Sequence, residues 1–392
     1  MLKLPPLSLY IHIPWCVQKC PYCDFNSHAL KGEVPHQEYV DHLLADLNAD
    51  LPLAGDREIS TLFIGGGTPS LLSAEAMQAL LDGVRSRIRV ADDAEITMEA
   101  NPGTVEADRF SGYQHAGVNR ISIGVQSFNA EKLIRLGRIH GAEEAKRSAH
   151  LATGLGLRSF NLDLMHGLPD QSLEDALDDL RQAIALNPPH LSWYQLTIEP
   201  NTLFSSRPPV LPDDDALWDI FEQGHQLLSD AGYQQYETSA YAKPGYQCQH
   251  NLNYWRFGDY LGIGCGAHGK LTFSDGRILR TAKTKHPRGF MQGKYRDKQH
   301  EVVLADRPFE FFMNRFRLLE AAPRADFVNY TGLAESAIRP QLEEALMKGY
   351  LKETPEYWQI TEQGKLFLNA LLELFLVDEA LLNKSDFGSA AP

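Results

Sequence analysis

An α/β fold, an incomplete parallel (β/α) barrel carrying a small winged-helix-like C-terminal domain, is what this 392-residue sequence predicts. Three observations carry that prediction. Strand-like runs alternate with amphipathic helix-like runs, and repeated β-then-α order means a parallel sheet with crossover helices. There are six such units, roughly 25 to 55 residues apart, which suits a curved sheet or partial barrel. Within the strands one face stays polar, whereas a parallel sheet buried on both faces reads apolar throughout.

The elements follow in order. The first strand, Leu7–Ile13, puts Leu7, Leu9, Ile11 and Ile13 on one face and Ser8, Tyr10 and His12 on the other. Three cysteines follow at once, at Cys16, Cys20 and Cys23. The run Gln37–Leu51 reads as a helix, and Thr61–Ile64 as a strand ending in Gly65-Gly66-Gly67-Thr68-Pro69. Glycines let a backbone approach a ligand closely because no side chain intervenes. After the helical run Ala74–Arg87 come the strands Ala94–Glu99, Arg120–Gln126, Ser159–Met165 and His190–Ile198, with Ser172–Leu186 helical before the last. In the third strand Ile96 and Met98 oppose Glu95, Thr97 and Glu99; in the fourth Ile121, Ile123 and Val125 oppose Ser122, Gly124 and Gln126; in the fifth Phe160, Leu162 and Leu164 oppose Asn161 and Asp163. The polar members gather near the C-terminal strand ends, where barrel folds place their sites. A lined cavity is expected there.

Residues 1–235 make up this core. A helical run, Asp213–Ala231, closes it, acidic at its start where the helix dipole favours acids. Residues 236–305 change texture, being rich in tyrosine and glycine. They contain His250-Asn251-Leu252-Asn253-Tyr254-Trp255 and a glycine-rich run from Gly262 to Gly269, read as tight turns lining a site. Residues 306–380 read as helices at Pro308–Leu319, Arg324–Tyr330 and Glu335–Lys348, a hairpin over Tyr350–Thr361 and a closing helix Glu362–Phe375. Residues 381–392 are expected to be a disordered tail. Winged helices often bind DNA, but from Arg307 to Glu379 eight basic residues face twelve acidic ones, which argues for a lid or protein contact instead.

Bulk properties narrow the class. The hydrophobic content of 43% and charged content of 22% are those of a globular chain with a core. A net charge of -14 argues against non-specific nucleic-acid binding. Prolines break the start at Pro5, Pro6 and Pro14, so it is no secretory signal, and no apolar run is long enough for a membrane span. Five cysteines, three in one loop, are not a disulfide framework. A reducing cytoplasmic setting is expected.

Thiolates are the usual ligands of iron–sulfur clusters and of zinc. Three would leave one iron of a four-iron cluster open. A zinc loop completed by His12 or His28, in a structural or interaction protein, is the alternative reading.

The spacing Cys16-x3-Cys20-x2-Cys23, with Tyr22 before the third thiol, resembles the cluster loop of the radical S-adenosylmethionine (radical SAM) superfamily, and Gly65–Pro69 resembles its GGGTP segment. With Glu99-Ala-Asn-Pro102, Gly124-Val-Gln-Ser127, Gly137-Arg-Ile-His140, Asp163-Leu-Met-His-Gly-Leu-Pro169 and the C-terminal part, nearly the whole chain is similar to the oxygen-independent coproporphyrinogen III oxidase family. The resemblance implies a radical SAM type of partial barrel. It implies that Cys16, Cys20 and Cys23 ligate a [4Fe–4S] cluster and that Tyr10 and Tyr22 pack near SAM. Gly66, Gly67 and Thr68 would hold its methionine end, and Glu99, Gln126, Arg138 and Asp163 would meet its polar groups and ribose. The physics agrees: SAM carries an ammonium, a carboxylate and a sulfonium, and Arg138 offers a rigid fork for a carboxylate.

Two departures stand out. The oxidases have a further cysteine two residues after the third, where this chain has Phe25, and they carry an N-terminal segment before the loop, which this chain reaches after fifteen residues. Both match the haem-chaperone branch of the family, which carries H-N-x-x-Y-W. That implies a haem site at His250, Tyr254 and Trp255. A neutral imidazole is the commonest axial haem ligand, the two aromatics offer flat area, and Arg256 is a partner for a propionate. The expected function is to bind haem at an accessible site and transfer it to client haemoproteins; reductive SAM cleavage as a trigger for transfer is a hypothesis beside it. The oxidase activity is the alternative. The expected partners are haem and those clients, without nucleic acid or a membrane span. Peripheral membrane contact, a homodimer and whether the protein turns SAM over are left open.

Overall fold

The structure is a computed structural model that describes residues 2–103 and 109–376. The expected tail at 381–392 lies outside them. One twelve-stranded sheet organises the chain. Its strands are β1 Leu7–Ile13, β2 Ile59–Gly66, β3 Val90–Ala100, β4 Arg120–Gln126, β5 Ser159–His166, β6 His190–Gln195, β7 Gln234–Glu237, β8 Ala240–Ala242, β9 Asp259–Ile263, β10 His268–Thr272, β11 Ile278–Lys283 and β12 Arg296–Glu301. They lie in the order β12-β11-β10-β9-β1-β2-β3-β4-β5-β6-β8-β7. The stretch from β9 through β1 to β6 is parallel throughout, and both flanks are antiparallel. The sheet stays open, since β12 and β7 are its two edges.

The six strands expected from sequence are all present, two of them, Leu7–Ile13 and Arg120–Gln126, with the expected limits. The sixth stops at Gln195 rather than Ile198, because its partner β5 ends at His166, opposite Gln195. A seventh parallel strand, β9, enters from far along the chain and pairs with β1 from Leu7↔Asp259 to Ile11↔Ile263. Residues 259–301 thus continue the barrel sheet.

Helices cover the outer face: α1 His36–Ala54, α2 Ala74–Arg85, α3 Phe110–Ala116, α4 Ala130–Arg135, α5 Ala142–Gly154, α6 Leu173–Ala185 and α7 Asp214–Asp230. Their starts are written in the sequence. Ser73 accepts from Ala76 N–H, Asp213 from Ala216 N–H, and Ser172 with Asp175 forms a reciprocal capping box. The apolar strand faces, Leu9, Ile11, Ile64, Met98, Ile121, Ile123 and Leu162 among them, pack against these helices in one core.

Buried ions tie the late strands to the early helix. Lys283 on β11 has a fully buried ammonium that donates to Asp50 (2.6 Å) and to Asp46 (2.5 Å), both on α1. Asp46 also accepts from Gly264 N–H (2.9 Å), and Arg296 on β12 pairs with Asp50. At the other end of the sheet Asp259 accepts from Lys270 (2.9 Å) and Arg57 (2.8 Å).

The C-terminal part comprises three helices, Arg307–Arg315, Arg324–Thr331 and Arg339–Met347, and a small three-stranded sheet. The helix expected over Glu335–Lys348 begins as a 3-10 turn, Glu335–Ile338, and becomes α-helical only at Arg339. Pro340 is the reason: it lacks an N–H and suits the first turn of a helix but not its interior. The last helix breaks at Phe367 into Glu362–Leu366 and Leu368–Glu373. Phe311, Phe312, Phe327 and Trp358 form its aromatic core, which also takes in Phe257, Ile278 and Leu2. This domain is therefore packed onto the barrel rather than tethered to it.

Replacing Lys283 by Met leaves two buried carboxylates short of their shared cation. Breaking a buried ion pair by removing one partner costs about 3–5 kcal/mol. Chemical denaturation of Lys283→Met should show a loss of that size, and a change under about 1 kcal/mol would refute the account.

Candidate functional site: a cysteine loop over two joined cavities

The cysteine loop stands on the C-terminal end of β1. Trp15–Cys16 pairs with His28–Ala29, so the loop closes on itself. Lys19 Nζ reaches across to the carbonyls of Phe25 (3.2 Å) and Ser27 (3.3 Å). The glycine segment after β2 holds the loop from below: Gly67 N–H donates to Ile13 O and Thr68 N–H to Trp15 O, both at 2.7 Å. A Cβ on Gly67 would lie 2.5 Å from Trp15 O, so only glycine permits this approach. Gly66 adopts φ +113° against the His12 ring. The second glycine-rich run meets the loop from the side, where Asn26 donates to Cys265 O (3.0 Å) and Lys285 O (2.9 Å).

Beneath the loop is a cavity of about 340 Å³. It is lined by Cys16, Cys20, Tyr22, Cys23, Gly66, Gly67, Thr68, Glu99, Gln126, Arg138 and Asp163. Of the residues expected at the cluster and SAM, Tyr10 alone lies elsewhere, on the wall of the neighbouring cavity. Arg138 is anchored by Nη2 to Asn101 Oδ1 (2.8 Å) and Gly124 O (2.7 Å), and its Nη1 lies 3.6 Å from Cys20 Sγ. Asn101 in turn donates to Thr68 Oγ1 (3.2 Å). Glu99 accepts from Gly66 N–H (3.0 Å). Burial, with the Asp163 charge adding, pushes its carboxyl up to about 8. Asp163 accepts from Ser122 (2.9 Å) and Asn161 (2.8 Å), and burial raises it too. Gln126 ends β4 with φ +66°, a left-handed conformation uncommon for a side chain of its size and typical of functional sites. Burial also raises the thiols of Cys16 and Cys23.

Sequence reasoning did not assign Asn101, Ser122, Met165 and Tyr194 to the site, yet they also line this cavity. Ser122 was visible on the polar face of its strand. Tyr194 could have been found by reading the alternation of β6 as the other strands were read.

A second cavity, about 730 Å³, adjoins the first and shares Cys23, Phe25, Ser27, Gly66 and Glu99 with it. Tyr10, Tyr254, Trp255 and Tyr260 are on its walls, with His12, His28, His268 and Lys285. Phe25 is 61% exposed at the junction.

The histidine expected to ligate haem is placed differently. His250 lies on the short helix α8, Gln249–Trp255, and is 0% exposed. Its Nδ1 bonds Thr61 Oγ1 (2.9 Å), while Phe63 (ring centroids 5.1 Å) and the edge of Tyr254 (4.7 Å) cover it. Burial, with Arg120 adding, pushes it down to about 3, so it is neutral, and its Nε2 has no hydrogen-bond partner among the described residues. Of the three residues expected at haem, Tyr254 and Trp255 face the cavity, while tertiary packing turns α8 so that His250 points away from it. Nor is Arg256 free for a propionate, since it makes a two-pronged pair with Glu320 (2.9 and 2.7 Å).

The zinc alternative finds little support. Both ring nitrogens of His12 are engaged, with Tyr10 OH (3.0 Å) and Asn26 O (2.9 Å), and His28 Nε2 bonds Lys285 O (3.1 Å). Among the described residues no group of three or more histidine, cysteine or acidic side chains converges as a single metal ion requires.

The comparisons agree with this geometry. The model of the Radical SAM superfamily matches residues 10–182, and that of the HemN C-terminal domain matches residues 303–367. Class and site thus coincide: this is a radical SAM fold whose cysteine loop sits over the barrel mouth. The chain is 80% identical to heme chaperone HemW of Escherichia coli strain K12, over 96% of its own length and 100% of the relative's. It is 67% identical to heme chaperone HemW of Haemophilus influenzae, over 97% and 100%. The solved coproporphyrinogen III oxidase (HemN) of Escherichia coli shares the fold, with TM-score 0.81 and 24% identity, over 95% of this chain and 90% of that one. The chain belongs to the HemW family of radical SAM proteins.

Gly67→Ala should strain the loop support. Overpacking of this kind costs about 1–3 kcal/mol, to be read by denaturation under reducing conditions, and a neutral result would show that the loop is not held this way.

Proposed function

We propose that the chain is a cytoplasmic haem chaperone that binds haem, passes it to client haemoproteins, and carries a [4Fe–4S] cluster with SAM. End-to-end identity to proteins named heme chaperone HemW supports the reading. The observation in the molecule that carries it is the large aromatic-walled cavity opening directly off the cluster-side pocket. In size it falls within the range of small-molecule sites, roughly 300–1,000 Å³.

The donor set suits the cofactors. Cys16, Cys20 and Cys23 offer three thiolates that leave one iron open. Gly66, Gly67 and Thr68 offer close backbone approach for the methionine end of SAM. Glu99 would take its ammonium, while Arg138, held by Nη2, keeps its other N–H groups toward the loop for the carboxylate. Tyr22, Gln126 and Asp163 complete the wall, and Tyr10 faces it from the adjoining cavity. Cys16, Cys20 and Cys23 would hold the cluster, which when bound and reduced would supply the electron for cleaving the sulfonium of SAM. In the larger cavity Tyr254 and Trp255 present their rings to haem, and His250 stands behind Tyr254 and sets its angle.

All five cysteines are free thiols, which suits a reducing compartment. Among the described residues no helix is long and apolar enough to cross a membrane.

The oxidase reading rests on the shared fold, yet Phe25 stands where that family has its additional cysteine. The test is anaerobic reconstitution, haem titration by absorption, and incubation with coproporphyrinogen. Stoichiometric haem without decarboxylation is expected. Decarboxylation without a haem band would instead make the protein an oxidase.

Glu99 sets a pH dependence. With its carboxyl held near 8, it is protonated in the free protein at pH 7, and taking up an ammonium requires ionisation. Affinity for SAM should therefore rise with pH, up to about tenfold per unit below 8, and fall above it as the SAM amino group, ordinarily near about 7.7–8.0, loses its own proton. Calorimetry from pH 6.5 to 8.5 reads this. Glu99→Gln should bind weakly without that slope. A flat profile in the unmodified protein would refute the assignment.

A further inference from the structure

The hairpin after β9 carries a histidine that the haem motif does not include. β9 ends at Ile263, at the same end of the sheet as the cysteine loop, because it runs parallel to β1. Gly264 (φ +95°) and Gly266 (φ +78°) turn the chain, and it returns as β10 starting at His268. The two strands cross closely there: a Cβ on Gly262 would lie 1.8 Å from His268 O. This close return sets His268 on the wall of the 730 Å³ cavity.

The imidazoles around that cavity are not equivalent. His12 has both nitrogens bonded, and His28 Nε2 is taken by Lys285 O. His250 is sealed beneath Phe63 and Tyr254 and lines neither cavity. His268 is exposed to the cavity and makes no side-chain hydrogen bond among the described residues. Burial and the cations Lys285 and Arg280 hold it below the ordinary histidine range, which keeps its ring neutral and able to donate a lone pair. Arg280 is committed to Glu310 (2.6 Å) and Tyr260 (2.8 Å), but the exposed Lys285 ammonium has no acceptor among the described residues. One cavity therefore combines flat aromatic walls, a free neutral imidazole and a free cation.

We propose that His268 is the axial ligand to haem iron in this cavity and that Lys285 pairs with a propionate. The inference rests on the haem-binding reading above and gives it a geometry: a planar apolar ring against Tyr254 and Trp255, with its iron toward β10. An exposed ligand also suits a donor that must let its cargo go, since the imidazole is not locked by a second hydrogen bond.

The experiment titrates ferric haem into the reconstituted full-length protein and records absorption and electron paramagnetic resonance. His268→Ala, Lys285→Ala and His250→Ala run alongside. The unmodified protein should show an imidazole-ligated spectrum. His268→Ala should lose that spectrum, bind at least about tenfold more weakly, and regain the spectrum with added free imidazole. Its cluster absorption should match the unmodified protein, which shows that the fold is intact. Lys285→Ala should weaken binding without changing the spectrum, and His250→Ala should keep the imidazole signature. An unchanged spectrum in His268→Ala, or its loss in His250→Ala alone, overturns the proposal while leaving haem binding standing. Failure of the unmodified protein to bind haem overturns both, and is recognised without any variant.

Discussion

The structure depends on one close approach: the backbone of Gly66–Thr68, at the end of β2, lying against the loop that leaves β1. Two backbone hydrogen bonds of 2.7 Å hold the contact, and neither is possible with a side chain at position 67. Because the loop is pinned there, its thiols are held at the mouth of the barrel rather than swinging in solvent. The same contact aligns Gly66 N–H on Glu99 and Thr68 on Asn101, so the cluster loop and the polar strand ends are built as one object.

The polar strand face then divides by depth. Near the mouth, Glu99, Ser122, Gln126 and Asp163 line open space. Deeper in the barrel, polar groups satisfy one another: Asn161 bonds His190, His190 bonds Tyr236, and Tyr236 accepts from Cys248 N–H. Glu95 accepts from the backbone N–H groups of Gln249 and His250 at the start of α8. Buried polar groups without partners are costly, so most polar groups far from the mouth are bonded, although Thr97 Oγ1, Ser159 Oγ and His250 Nε2 have no partner among the described residues. The lined cavity expected from strand alternation is found at the mouth end of the barrel.

That interior network also decides how α8 is presented. Glu95 holds its first turn, Thr61 holds the His250 ring, and Asn253 donates to Ser8 (2.7 Å) and to Asp259 O (3.0 Å). With the His250 and Asn253 side chains committed inward, Tyr254 and Trp255 are left toward the cavity. The helix behaves as a wall whose inner residues orient the outer ones, and His268, an imidazole on the cavity wall with no side-chain hydrogen bond among the described residues, comes instead from the β9–β10 hairpin.

The sequence by itself determined the alternation of strand and helix, the helix starts at Ser73, Ser172 and Asp213, the three thiols and the glycine segment. These depend on contacts a few residues apart, where spacing and local chemistry decide the outcome. It also placed Glu99, Ser122, Gly124, Gln126 and Asp163 on polar strand faces, because alternation sorts side chains by face, and all five line the cluster-side pocket. Only the tertiary structure decided that β9 joins β1 as a seventh parallel strand, that His250 is sealed while His268 is open, and that Arg256 belongs to Glu320. Those outcomes depend on which distant segments pack together. Asp259 lies 252 positions beyond its partner Leu7, and no periodicity or local motif reports a pairing across that distance.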